Sequence, residues 1–310
     1  MKYQHSLWWM VLFLAINPVL HAQNTNGQKT VRVVYLVPAD RTPKELYRKS
    51  IEKAIKEVRT WYYTTTGMTF TLSKPIVEIK RSEKPADWFD NTPDQIWNGQ
   101  YRNLWFTGNT RTEMESIYGE EYNNPRYTWV VYVDAKGQTG TGGGGRATLP
   151  EHDVLGVSGL SKDQPYIGRW YGGLAHEVGH AFGLVHAVTD QSNALMMYGY
   201  TLYPKSTLTL QDILILDNSP FMNVRNTRKK AFSAKYHHEG GWFLKQGTTW
   251  TETDKNGLPS YTFQQTSQGK IFYVIEDRSR NMQLRIPVSG GTSFWRTDGQ
   301  WNPLYTLKLQ

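Results

Sequence analysis

Cysteine is absent from the 310 residues, so no disulfide staples this chain and no thiolate serves as nucleophile or metal ligand. The folded state must rest on apolar burial, helped by any bound metal. Long hydrophobic runs are almost as scarce. Leu7-Trp8-Trp9-Met10-Val11-Leu12-Phe13-Leu14-Ala15-Ile16 is the one extended stretch, and it is too short for a comfortable transmembrane helix. Lys2 and His5 precede it and the small residue Ala22 closes it, so residues 1–22 read as a cleaved secretory signal. The mature chain is then expected to be secreted or periplasmic, with no stable membrane span.

Marks of nucleic-acid and nucleotide binding are missing too. The formal charge is +8, which favours anionic polysaccharide or a cell surface. No basic block interleaved with aromatics occurs, so nucleic acid is not an expected partner. The stretch Lys136 to Gly145 is rich in glycine but lacks the lysine and hydroxyl spacing of a phosphate loop. No core can be built from it, and it reads as a flexible loop.

What the chain does contain is His176-Glu177-Val178-Gly179-His180-Ala181-Phe182-Gly183-Leu184-Val185-His186. On a helix His176 and His180 sit one turn apart and point the same way, so their imidazoles can share a metal. Glu177 cannot follow them as a ligand. It stands beside the first one, placed to hold and deprotonate a metal-bound water. Gly183 allows a left-handed turn that ends the helix and can return His186 as third ligand. Three nitrogens leave one position of a tetrahedral zinc open, which is the catalytic arrangement. A random chain of this size would carry HExxHxxGxxH with a probability on the order of 10⁻⁵, so three incidental histidines are a poor account of it.

In these residues the chain resembles the metzincin metalloproteases. The resemblance implies a downstream turn with a methionine under the metal, and Ala194-Leu195-Met196-Met197-Tyr198 is similar to it. Ala-Leu-Met looks like the turn of the matrixins and Met-x-Tyr like that of the astacins and serralysins; both alignments select Met196. On the second, Tyr198 matches a tyrosine that binds the metal or steadies the tetrahedral intermediate, with a packed aromatic as the alternative. The implied fold is α+β, a twisted mixed sheet with helices over residues 23–228. The implied activity is zinc-dependent cleavage of protein or peptide substrates, with Glu177 as general base. Zinc is the expected cofactor; calcium is a second candidate with no legible ligand pattern.

Local patterns agree with that frame. Val31 to Val37 reads as a buried strand, and Thr42-Pro43-x-Glu45 as the start of a helix whose stripe runs Tyr47, Ile51, Ala54, Ile55, Val58, Tyr62. Phe70 to Leu72, Ile76 to Ile79 and Thr128 to Val133 read as further strands. Thr92-Pro93-Asp94-Gln95 reads as a second helix start, with Trp97, Tyr101, Leu104 and Trp105 on one face. The resemblance puts an edge strand over the cleft at Arg146 to Pro150, where an extended peptide would add by backbone hydrogen bonds; a plain connector is the alternative. His152 reads as a surface residue. Thr209 and Asp212 form a capping box for a later helix, and the resemblance implies that the loop Tyr200 to Ser206 lines the pocket for the residue after the cleaved bond.

Past Pro220 the texture changes to short strands with glycine turns, six or seven of them, which predicts a small β-sandwich or barrel over residues 229–310. Its tryptophans, Trp242, Trp250, Trp295 and Trp301, could stack on sugar rings or fill a core. A second function class therefore stays open: a glycan- or surface-binding protein acting through this domain. Chelator-sensitive proteolysis separates the two.

Overall fold

The computed structural model describes residues 27–91, 101–187, 192–228 and 230–310. In chain order the elements of the larger unit are β1 (Thr30–Val37), α1 (Glu45–Thr66), β2 (Met68–Thr69), β3 (Leu72–Arg81), α2 (Trp105–Tyr118), β4 (Tyr127–Val133), β5 (Thr141–Gly143) and β6 (Arg146–Leu149). There follow α3 (Glu151–Val157), α4 (Ile167–Ala181), α5 (Leu210–Asn218) and β7 (Val224–Arg225). Five strands form one sheet in the order β3-β1-β4-β6-β5. The β3-β1, β1-β4 and β4-β6 pairs are parallel and β5 runs antiparallel to β6. The sheet is mixed, within an α+β unit.

Strand periodicity divides the core in two. Alternate residues of a strand face opposite sides, and Val31, Val33, Tyr35 and Val37 of β1 pack with α1, α3 and α4. Val34 and Leu36 face the other way, onto Trp129, Val131 and Val133 of β4 and Phe106 and Met114 of α2. Both faces being covered explains why β1 and β4 read as unbroken apolar runs. Helix α1 buries the expected stripe and ends at Gly67, whose φ of 77° is the left-handed cap. Its start differs from expectation. Lys44 is the N-cap and makes no side-chain capping bond, while Arg41 just upstream is tied to Asp134 (2.9 Å) and Glu151. The Thr92 helix start and Trp97 lie outside the described residues; α2 itself begins at Trp105, and Tyr101 is exposed.

Two expectations near the cleft are corrected. Arg146 to Leu149 is not an edge, since β6 is paired on both sides, by β4 and β5. The glycine-rich stretch is not merely a loop, since it supplies the outer strand β5 and the turn into β6. Gly144 and Gly145, at φ of 54° and 78°, make that turn at a backbone conformation other residues resist. Composition hid the strand because its glycines serve closeness rather than burial. A β-carbon on Gly142 would come 2.2 Å from the carbonyl oxygen of Glu177.

The rest of the chain is a closed barrel of eight strands. These are β8 (Ala234–His238), β9 (Gly241–Gln246), β10 (Thr249–Asp254), β11 (Pro259–Gln268), β12 (Phe272–Asp277), β13 (Met282–Pro287), β14 (Gly291–Arg296) and β15 (Asn302–Leu309). Tyr236, Phe243, Trp250, Phe263, Ile275 and Leu284 lie in its core. It joins the larger unit through Leu214, Phe232 and Leu244 and a bond from Lys235 Nζ to Asp217 at 2.7 Å. No described helix is long and apolar enough to cross a membrane.

Candidate functional site

Helix α4 carries glycines at 168, 172, 173 and 179 in fifteen residues, and this helix-weakening composition makes sense only as close packing. At Gly172 a β-carbon would stand 1.9 Å from the carbonyl oxygen of Tyr200, and at Gly179 one would stand 2.9 Å from Met196 Sδ. The helix is thus pressed against β5 on one side and the 194–200 turn on another. Met196 is fully buried under it, while Met197 lines the open cavity instead.

His176 and His180, one turn apart, bring their Nε2 atoms to 3.1 Å. Gly183, at φ of 99°, reverses the chain, and the Leu184 amide donates back to the Gly179 carbonyl at 3.0 Å. The Ala187 amide then donates to the Met196 carbonyl at 3.2 Å. His186, between them, reaches the others with its Nε2 3.2 Å from that of His180. One ligand-type nitrogen from each ring lies within 4.8 Å of the other two. Among the described residues this is the one cluster of three or more His, Cys, Asp or Glu side chains so gathered.

The tautomers follow from chemistry. His176 Nδ1 lies 2.8 Å from the Leu195 carbonyl and His180 Nδ1 lies 2.8 Å from the Leu184 carbonyl. A carbonyl only accepts, so each Nδ1 carries the hydrogen and each Nε2 presents a lone pair. Two lone pairs facing at that distance repel unless a cation stands between them. A tetrahedral zinc with bonds of about 2.0–2.1 Å sets its nitrogens roughly 3.3 Å apart, so the donor set fits that ion. Burial, outweighing the Leu195 carbonyl, holds the His176 pKa down to about 4, and burial lowers that of His180 as well. Both rings therefore stay neutral, the ligating form.

Glu177 opens onto a cavity of about 500 Å³ that the imidazoles also line. Burial first, then the neighbouring Asp153, raises its pKa to about 8, against an opposing pull from Arg169. Gly140 lies alongside, where a β-carbon would be 3.5 Å from Glu177 Cγ. Tyr198 is 65% exposed at the cavity rim, neither packed beside the turn nor against the rings. His152, read as surface, keeps 42% of its side chain exposed and stands at the cavity wall, its Nε2 3.1 Å from Asp153 Oδ2.

Sequence reading missed Asp153, Arg169 and the role of Tyr200, whose ring meets that of His176 edge-on at 5.3 Å. Arg169 had a legible signal: with Gly173, His176 and His180 it falls on one helical face by steps of four, three and four. Asp153 had none, since α3 reaches the site only through tertiary packing.

No family model matches the chain, and no curated protein does. Among solved structures it is similar to wild-type OgpA from Akkermansia muciniphila, at 14% identity and a TM-score of 0.48, covering 91% of this chain and 95% of that one. Catalytically inactive OgpA in complex with an O-glycopeptide substrate, glycodrosocin, gives 13%, 0.49, 91% and 94%. Archaemetzincin from Methanopyrus kandleri gives 15% identity and a TM-score of 0.34, over 63% of this chain and 97% of that one.

Proposed function

We propose that this chain is a secreted zinc endopeptidase, with a metzincin-type catalytic domain over residues 23–228 and a β domain over residues 229–310. The observation that carries the reading is the convergence of the Nε2 atoms of His176, His180 and His186, at 3.1 and 3.2 Å, beside Glu177 in an open cavity. These three side chains would hold the zinc, which when bound acidifies a water and polarises the scissile carbonyl.

Everything else falls to the chain. The carbonyls of Leu195 and Leu184 lock two imidazoles in the ligating tautomer and keep them oriented. Glu177 accepts a proton from the attacking water and hands it to the departing amine. Its burial and the neighbouring Asp153 raise its affinity for that proton, and Arg169 opposes them. A carboxylate with raised proton affinity is suited to take the proton from water. Met196 is the apolar floor, and Tyr198 at the rim donates its hydroxyl to the developing oxyanion once substrate fills the cavity.

Binding of glycan or a surface through the barrel has weaker support. Trp250 is sealed in the core, and Trp301 is held under both Arg285 and Arg296, at 4.2 and 4.5 Å.

Replacing Glu177 by Gln tests the reading. The variant should bind as much zinc as the unaltered protein and lose on the order of 10²–10⁴-fold in peptide hydrolysis. Metal analysis beside a peptide digest measures both; undiminished cleavage removes Glu177 from the proton path.

A further inference from the structure

The cavity contains a cation whose bonding is incomplete. Arg169 lies on α4 on the face of His176 and His180, with Gly173 between. Because Gly173 has no side chain, the guanidinium lies across it: a β-carbon there would stand 2.8 Å from Arg169 Nη1. Two aromatic rings hold the group, those of Trp170 at 4.9 Å and Tyr200 at 4.8 Å. A cation–π contact uses none of the five guanidinium N–H groups as hydrogen-bond donors to oxygen, so they stay available for acceptors.

Those donors are unspent. Among the described residues no carboxylate pairs with Arg169 within 4.0 Å and its side chain makes no hydrogen bond. Asp153, the buried acid in the same wall, has its Oδ2 3.1 Å from His152 Nε2 but without a hydrogen-bond partner, and its carboxylate stands more than 4.0 Å from the guanidinium. Arg169 is therefore a fork, held by cation–π contacts with two rings and lining the cavity before any ligand arrives. Such preorganisation cuts the ordering cost of binding, and a planar fork suits a carboxylate in a bidentate grip.

We propose that Arg169 is a specificity residue that receives a substrate carboxylate, carried by the residue seated between α4 and the 198–200 turn. The proposal rests on the peptidase reading above. In a peptide that carboxylate has two sources, an Asp or Glu side chain and the free carboxyl end of the chain. The first gives selection for acidic residues within a sequence; the second gives trimming near chain ends.

Matched peptides decide it, with Glu against Gln at each position and a free acid against an amide at the end. Two quantities are read with the full chain: kcat/KM for the unaltered protein, and affinity for the Glu177→Gln protein by calorimetry, which needs no turnover. A carboxylate at one position should raise both on the order of 10–100-fold. An advantage confined to the Glu/Gln pair assigns a side chain, and one confined to the acid/amide pair assigns the chain end. Arg169→Met should bring the acid-to-neutral ratio to about one, and Arg169→Lys, keeping charge without the fork, should leave it between.

An unaltered protein indifferent to carboxylates in both measurements overturns the proposal without any variant. So does a ratio that Arg169→Met leaves intact, which would make the arginine a packing residue. If no peptide is cleaved but carboxylate-dependent binding persists, the peptidase reading fails and the Arg169 site stands.

Discussion

His186 differs from the other two imidazoles in what holds it. His176 is buried and His180 half-buried, each fastened by an Nδ1 bond to a backbone carbonyl, whereas His186 is exposed and meets the cluster through His180. Removing it should therefore leave the helix and core intact while dismantling the third ligand. We expect His186→Ala to melt within a few degrees of the unaltered metal-free protein. Its zinc affinity should fall by more than the ~10–100-fold that loss of a mere outer partner costs. Equilibrium dialysis with metal analysis checks this, and unchanged affinity would exclude His186 as a ligand. The same contrast explains what could be read from residues alone. The spacing of His176, Glu177, His180 and Gly183 fixes their relative positions because a helix and its end are local. Asp153 and Tyr200 arrive from α3 and from the turn after Met196, and no short-range pattern encodes that meeting.

At the scale of elements, β5 governs the width of the cleft. The strand lies on the backbone of α4, and Thr141 is tied to Thr107 near the start of α2 by a hydroxyl bond of 2.6 Å. A side chain at Gly142 would meet the Glu177 carbonyl oxygen at 2.2 Å and His180 Cβ at 2.7 Å. Backbone cannot yield there as a flexible side-chain tip would, so Gly142→Ala should push β5 outward at a cost of about 1–3 kcal/mol. Thermal melting should show the loss, and peptide cleavage should show a raised KM; an unchanged melting temperature would mean that the strand does not need this contact. Unbroken apolar runs and a helical stripe place β1, β4 and α1 correctly, since burial leaves an apolar record. The glycine strand leaves none. Nor do β8 and β15, where lysine, histidine and proline interrupt the alternation, so that six or seven strands are legible where the barrel has eight.

At the scale of the molecule, the barrel has an acid-sensitive point. His238 is buried, its Nδ1 accepting from the Gly240 amide at 3.1 Å and its ring stacked on Tyr305 at 4.2 Å. Burial, and then His237, hold its pKa down to about 4 against the ordinary 6.5. Between those values the unfolded chain binds a proton that the folded barrel refuses, so stability rises with pH across this window. Acidification from pH 6.5 towards 4 should thus lower the melting temperature, with the effect levelling off below. His238→Phe should flatten that slope whatever it does to absolute stability. Melts at several pH values measure it, and an equal slope in both proteins would acquit this histidine.

The central claim, one zinc on three imidazoles driving hydrolysis with Glu177, is tested most directly by titrating metal-free protein with zinc while counting bound metal and peptide cleavage together. Cleavage should rise in step with occupancy and saturate at one zinc per chain. Saturation without cleavage of any peptide, or no retained zinc at all, would contradict it.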